Sequence, residues 1–157
     1  MKKNITKFSL AILSVLFLTA CSKYTKEETT SNRVIFDSRD LKVITTAINP
    51  NLETMSVLYG NEKAYRAALD GNGQHVSGEK YIYLTWKYIE NPKWFDSNIS
   101  KDLLALESIN VKQDEHTDDL IYDYKIEKGN PLPVNGIQLK QGDRIAYLFD
   151  YKPSVLP

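Results

Sequence analysis

The chain has 157 residues, with 20 Lys and Arg against 20 Asp and Glu, two histidines and one cysteine. That length suits a single domain with one core, and a balanced charge argues against a nucleic-acid-binding surface, which needs a basic excess. A single cysteine excludes an internal disulfide and every paired-thiol chemistry, so stability has to come from packing.

The amino terminus is Met1-Lys2-Lys3 with a further cation at Lys7, followed by an apolar run from Phe8 to Leu18 and then Thr19-Ala20-Cys21. A charged start, a short apolar stretch and a small-residue end form an export signal. A bilayer-spanning helix needs about 20 apolar residues, and this run is about half that. Leu18-Thr19-Ala20-Cys21 resembles the lipobox of bacterial lipoproteins in all four positions. The resemblance implies a signal peptide over 1–20, diacylglyceryl transfer to the Cys21 thiol and acylation of the new amino terminus by a fatty acid such as palmitate. Two or more acyl chains anchor stably where one does not. The expected partner is therefore a membrane, reached through Cys21. Ser22 after the cysteine fits sorting to the periplasmic face of an outer membrane in a cell envelope of Gram-negative type. Cleavage removes Lys2, Lys3 and Lys7 and leaves 17 cations against 20 carboxylates, a formal charge of −3 on 137 residues.

Residues 21–32, rich in Ser, Thr, Lys and Glu, are too polar to bury and read as a lipidated start and flexible tether. The globular domain is expected over 33–157. Leu41 to Ile48 contains Val43, Ile44, Thr45 and Thr46, good strand formers, and stops at Asn49-Pro50-Asn51. Alternation resumes with Met55, Val57 and Tyr59. After Gly60 the period changes: Ala64 with Ala68 and Tyr65 with Leu69 are i,i+4 pairs. Asn61 as N-cap, Glu62 in the first turn and Gly71 in the left-handed position predict a helix from about Glu62 to Asp70.

Tyr81 to Phe95 holds both tryptophans and is the stretch expected to centre the core. Ile82, Leu84, Trp86 and Tyr88 share one parity and Tyr81, Tyr83, Thr85 and Lys87 the other, the pattern of a strand with its first set buried. Asn91-Pro92 ends it, because proline cannot donate to a ladder, and sends Trp94 and Phe95 off the strand direction. In Leu103 to Lys112, Leu104 and Leu106 oppose Ile109 and Val111 in parity, which predicts a bulge near Glu107-Ser108 or a break between two short strands. Gln113 to Asp119 reads as a hairpin loop. Leu120, Tyr122, Tyr124 and Ile126 alternate with more polar residues as a strand with one wet face. Gly129-Asn130-Pro131 and Gly136 punctuate a loop, and Arg144 to Tyr151 is an apolar segment compatible with helix or strand. The fold class is α+β, β-dominated, an antiparallel sheet with one or two short helices.

Leu58-Tyr59-Gly60-Asn61, Leu84-Thr85-Trp86-Lys87-Tyr88, Asn91-Pro92-Lys93-Trp94-Phe95, Glu127-Lys128-Gly129-Asn130-Pro131-Leu132 and Arg144-Ile145-Ala146-Tyr147-Leu148, in this order, resemble the cytochrome P-460 family over residues 41 to 157. The resemblance implies an exported, β-rich small domain. Haem-bearing members of that family, and the related β-sheet cytochromes c-prime, carry a c-type haem and bind or oxidise small nitrogen species such as hydroxylamine and nitric oxide. This chain lacks the Cys-x-x-Cys-His run that attaches such a haem, and its one cysteine is the lipidation site. A haemless variant is expected, with no cofactor.

Candidate chemistry is sparse. His75 and His116 lie in polar segments and read as surface histidines before they read as haem ligands. His116-Thr117-Asp118-Asp119 has no metal-site spacing, so no metal is expected. Glu107 with Ser108 is a polar pair beside the predicted bulge, without a base or nucleophile partner, and no catalytic residue is assigned. Trp86, Tyr88, Trp94 and Phe95 could line an apolar ligand pocket, although filling the core is the favoured account of them. The function expected is a membrane-anchored periplasmic lipoprotein whose domain is a binding or interaction module. The alternative is an enzyme or sensor that holds haem or another small ligand without a covalent link.

Overall fold

The computed structural model describes residues 36–38, 40–71, 73–91, 93 and 98–153. Cys21, the expected signal peptide and tether, and Trp94 and Phe95 lie outside the described residues. Five strands, β1 (Lys42–Asn49), β2 (Thr54–Gly60), β3 (Lys80–Glu90), β4 (Asn98–Gln113) and β5 (Leu120–Gly129), pair antiparallel in chain order as one meander. Helix α1 (Glu62–Leu69) joins β2 to β3, and α2 (Gln141–Phe149) follows β5. The expected β-dominated class with two short helices is what the described residues form.

Local chemistry explains the boundaries. At the β1–β2 turn the Leu52 amide donates to Asn49 Oδ1 at 3.2 Å, and Glu53 takes a positive φ of 49° to close it. Helix α1 starts where predicted because Asn61 Oδ1 accepts from the Ala64 amide at 3.0 Å, an N-cap bond, and also from the Lys80 amide at 3.2 Å. The Asn61 side-chain Nδ2 donates to the Gly78 carbonyl at 2.8 Å, tying the helix start to the loop that leads into β3. Gly60 lets α1 lie close to the sheet: a Cβ there would stand 2.7 Å from Ile44 Cδ1 and 2.9 Å from Ala64 Cβ. The segment from Arg144 resolves as helix, with Arg144 and Leu148 on its buried side at the i,i+4 spacing.

The core corrects one expectation, and β4 decides between two alternatives. Ile44, Leu58, Tyr81, Tyr83, Ile109 and Val111 of the sheet close a single cluster with Ala64 and Ala68 of α1 and Leu148 of α2, so both helices cover the same sheet face. That face carries the Tyr81 parity of β3, not the Trp86 parity expected to be the buried one. Ile82 and Leu84 on the opposite parity are buried as well, whereas Trp86 and Tyr88 are half-buried. Strand β3 is a central strand covered on both faces over its first half, and alternation cannot rank two buried faces.

Of the bulge near Glu107-Ser108 and the break expected for β4, the strand shows the irregularity, a register shift between Leu106 and Glu107 against β5, and not the break, for it runs on as one strand of 16 residues. Ala105, Glu107, Ile109 and Val111 form a single buried row on the helix side. The apparent slip in parity arose because Glu107, a charged residue, occupies an inward position that pattern reading assigns to water. Register shifts do occur beside it, between Leu106 and Glu107 against β5 and around Trp86 against β3. At the first of these Gly129 has a φ of 68°, and a Cβ on it would fall 1.8 Å from the Leu104 carbonyl oxygen. Only glycine fits there.

Candidate functional site: a buried ion pair beneath a tyrosine-lined cleft

Glu107 lies at the centre of the helix-facing side, its side chain 0% exposed, and it faces Arg144 of α2, whose side chain is 6% exposed. The two are 37 residues apart in sequence. Arg144 Nε donates to Glu107 Oε2 at 2.8 Å and Nη2 donates to Oε1 at 2.6 Å, a two-bond fork matched to the carboxylate plane. Tyr124 of β5 adds its hydroxyl to Oε2 at 2.7 Å. Burial by itself works against the Arg144 charge, but the hydrogen bonds and attraction of Glu107 outweigh it and hold the guanidinium above its ordinary value. Burial, and then the bond to Glu107, raise the Tyr124 phenol well above the ordinary tyrosine range. The guanidinium also lies over the rings of Tyr83 and Tyr147, 5.6 and 5.3 Å from their centroids.

Above this pair is a cleft of about 320 Å³, walled by the β1–β2 turn, the sheet face at Thr54, Ser56, Tyr83 and Thr85, the 132–135 loop and the end of α2. Hydroxyl groups dominate its polar lining. Ser56 Oγ donates to Thr85 Oγ1 at 3.1 Å. The Tyr83 hydroxyl lies 3.4 Å from that of Tyr151, which lies 2.6 Å from that of Tyr147. Burial is the first cause that raises the phenols of Tyr83 and Tyr151, so both stay protonated through the neutral range. Arg144 is the only charged residue among the described lining residues, and its charge is already met by Glu107. Its remaining nitrogen, Nη1, makes a long contact of 3.5 Å to the Leu132 carbonyl.

A second buried carboxylate, Glu79, sits at the other end of the sheet. Its Oε1 accepts from the Val76 amide at 2.6 Å, and its Oε2 lies 2.8 Å from His75 Nδ1 and 2.9 Å from the Tyr81 hydroxyl that donates to it. The His75 ring stacks on Phe149 at 4.0 Å between centroids, with Tyr122 edge-on. His75 is thus a half-buried structural histidine and not the surface one expected. His116 lies in the loop between β4 and β5 and is exposed.

Glu107 and Ser108, read together from the sequence, point to opposite faces. Ser108 Oγ donates to Glu127 Oε1 at 2.8 Å on the far side, and the partner of Glu107 is Arg144. Trp86 and Tyr88 stand on the parity opposite to Tyr83 and Thr85, away from the cleft lining. Among the described residues there is no group of three or more His, Cys, Asp or Glu side chains able to hold a metal ion. The described lining of the cleft offers no thiol and no histidine, so these residues do not fit a c-type haem.

Fold and cleft define a class: a β-dominated α+β domain, one antiparallel meander backed by two helices, with a neutralised guanidinium under a hydroxyl-rich depression. No model of a known protein family matches the chain, and no curated protein matches it.

Proposed function

We propose that this protein is an exported lipoprotein, anchored through lipid on Cys21 at the periplasmic face of an outer membrane, whose domain is a haemless variant of the cytochrome P-460 architecture acting as a small-ligand binding module. The sequence supports the address: an apolar run of signal-peptide length ends in Leu18-Thr19-Ala20-Cys21. One observation carries the binding role. A cleft of about 320 Å³, at the small end of the roughly 300–1,000 Å³ usual for ligand sites, opens over a buried arginine–glutamate pair that fixes Arg144, Tyr83 and Tyr147 in place. Side chains held this way are pre-organised, which lowers the ordering cost of binding. Among the described lining residues the donors and acceptors are phenols, alcohols, the amides of Asn49 and Asn135 and a paired guanidinium, a set suited to recognising a molecule rather than transforming it.

Two measurements test this. Mass spectrometry of protein purified from its native membrane should find Cys21 amino-terminal and acylated; an unmodified thiol overturns the anchor. Thermal unfolding of that protein across a library of small molecules should find compounds that raise the midpoint, because a ligand that binds only the folded state stabilises it. Their effect should vanish in Tyr147→Phe, and a library without any such compound overturns the binding role.

A further inference from the structure

We infer that the cleft takes a neutral, hydroxylated ring that carries a carbonyl acceptor, the chemistry of an N-acetylated sugar. The inference rests on the reading of the cleft as a ligand site and adds the class of ligand.

Charge makes the first cut. Arg144 is the sole charged residue among the described lining residues, and Glu107 neutralises it through two short bonds. A bound carboxylate would have to share the guanidinium with Glu107 and leave one excess negative charge in a desolvated place. A bound ammonium would meet the guanidinium first. Either charge loses its hydration without gaining an uncompensated counter-charge, which costs more than it returns. The ligand is therefore neutral.

Hydrogen bonding makes the second cut. Ser56 with Thr85, and Tyr83 with Tyr151 and Tyr147, present two linked sets of hydroxyls on the sheet face and at the end of α2. Each hydroxyl both donates and accepts, and this matches the alcohols of a sugar better than an ester or a hydrocarbon. Thr54 supplies a specific position. It is 4% exposed and lines the cleft, and its hydroxyl makes no hydrogen bond among the described residues. A buried polar group without a partner is uncommon and costly, and a ligand hydroxyl would satisfy it. Arg144 Nη1, with only its long contact to the Leu132 carbonyl, is a charged donor with capacity left for a carbonyl oxygen. The tyrosine rings, Leu52 and Leu132 supply apolar surface for the CH face of a ring.

The test uses the full-length protein in mild detergent and isothermal titration calorimetry with N-acetylglucosamine, glucosamine and glucuronate. N-acetylglucosamine should bind saturably, and both charged sugars at least tenfold more weakly. Thr54→Val removes a hydroxyl without a protein partner, so it should leave the melting temperature within about 2 °C and weaken N-acetylglucosamine binding at least fivefold. Equal binding of a charged sugar, or binding untouched by Thr54→Val, overturns the inference. A parallel titration with uncharged amides and phenols separates the two levels. If these bind in a Thr54-dependent way while no sugar binds, the ligand class is wrong and the cleft reading stands; if nothing titrates, both are wrong.

Discussion

Replacing Arg144 with methionine tests the arrangement on which the helix-facing side depends. Glu107 can accept at about four lone-pair positions. It now receives two bonds from Arg144 at 2.8 and 2.6 Å and one from Tyr124 at 2.7 Å. Methionine fills much of the arginine volume but leaves a fully buried carboxylate with the Tyr124 hydroxyl alone. Breaking one side of a buried pair costs about 3–5 kcal/mol. A domain of this size loses about 4 °C of melting temperature per kcal/mol, so the midpoint should fall by about 12–20 °C. Thermal and urea unfolding followed by circular dichroism read it. The double variant Glu107→Leu with Arg144→Met removes both charges and should recover most of the loss, because an apolar pair of similar volume is often neutral or stabilising. A single-variant loss below about 1 kcal/mol, or a double variant no better than Arg144→Met, refutes the claim that this pair organises the site.

Four further outcomes follow from the geometry. Tyr81, Tyr83, Tyr124 and Tyr151 all have phenols raised above the ordinary value near 10. The folded state therefore keeps protons that the unfolded chain releases, and stability is full below about pH 10 and falls as the pH rises beyond it; a urea midpoint flat from pH 9 to 11.5 contradicts this. Asn61→Ala loses the cap and the bonds to Lys80 and Gly78 and should cost about 1–2 kcal/mol in urea unfolding. Gly129→Ala forces a Cβ into the Leu104 carbonyl and should cost at least about 2 kcal/mol, measured the same way. Trp86→Ala removes a half-buried ring and should cost about 2 kcal/mol, less than the 3–5 of a fully buried tryptophan; a loss above about 4 would return Trp86 to the centre of the core.

The parts of the fold legible in the sequence are those written in local chemistry. The Asn61 cap and the Gly71 exit with its φ of 86° depend on neighbours a few residues away and are found where expected; of the β5 row Leu120, Tyr122 and Tyr124 pack against the core as expected, whereas Ile126 is exposed. What escaped pattern reading depends on distant partners. Tyr83 could not be ranked above Ile82 because its face is covered by one helix that precedes β3 and another that follows β5. Glu107 broke the apolar row of β4 in sequence, and only the approach of Arg144, 37 residues on, turns that break into a buried ion pair. The signal that would have found it is modest: a lone carboxylate at the parity of Ala105, Ile109 and Val111 demands a cation, and Arg144 is the cation of the apolar segment from Arg144 to Tyr151. Trp86 and Tyr88, attractive as pocket residues for their size, stand apart from the cleft, whose lining consists of short hydroxyl side chains and tyrosines that composition alone does not single out.

The meander has a kinetic corollary. Every strand hydrogen-bonds to its predecessor, so the sheet can zip from local hairpins whose loop-closure entropy is small, which favours rapid assembly. The last helix is different: its guanidinium must cross back to a carboxylate placed two strands earlier in the chain, and nothing in the sheet can complete that contact in its stead. A polypeptide emerging amino terminus first from a ribosome would thus hold a formed sheet with one bare acidic centre until the segment from Arg144 onward arrives, and shortening the C-terminus before Arg144 should strand the protein in that state.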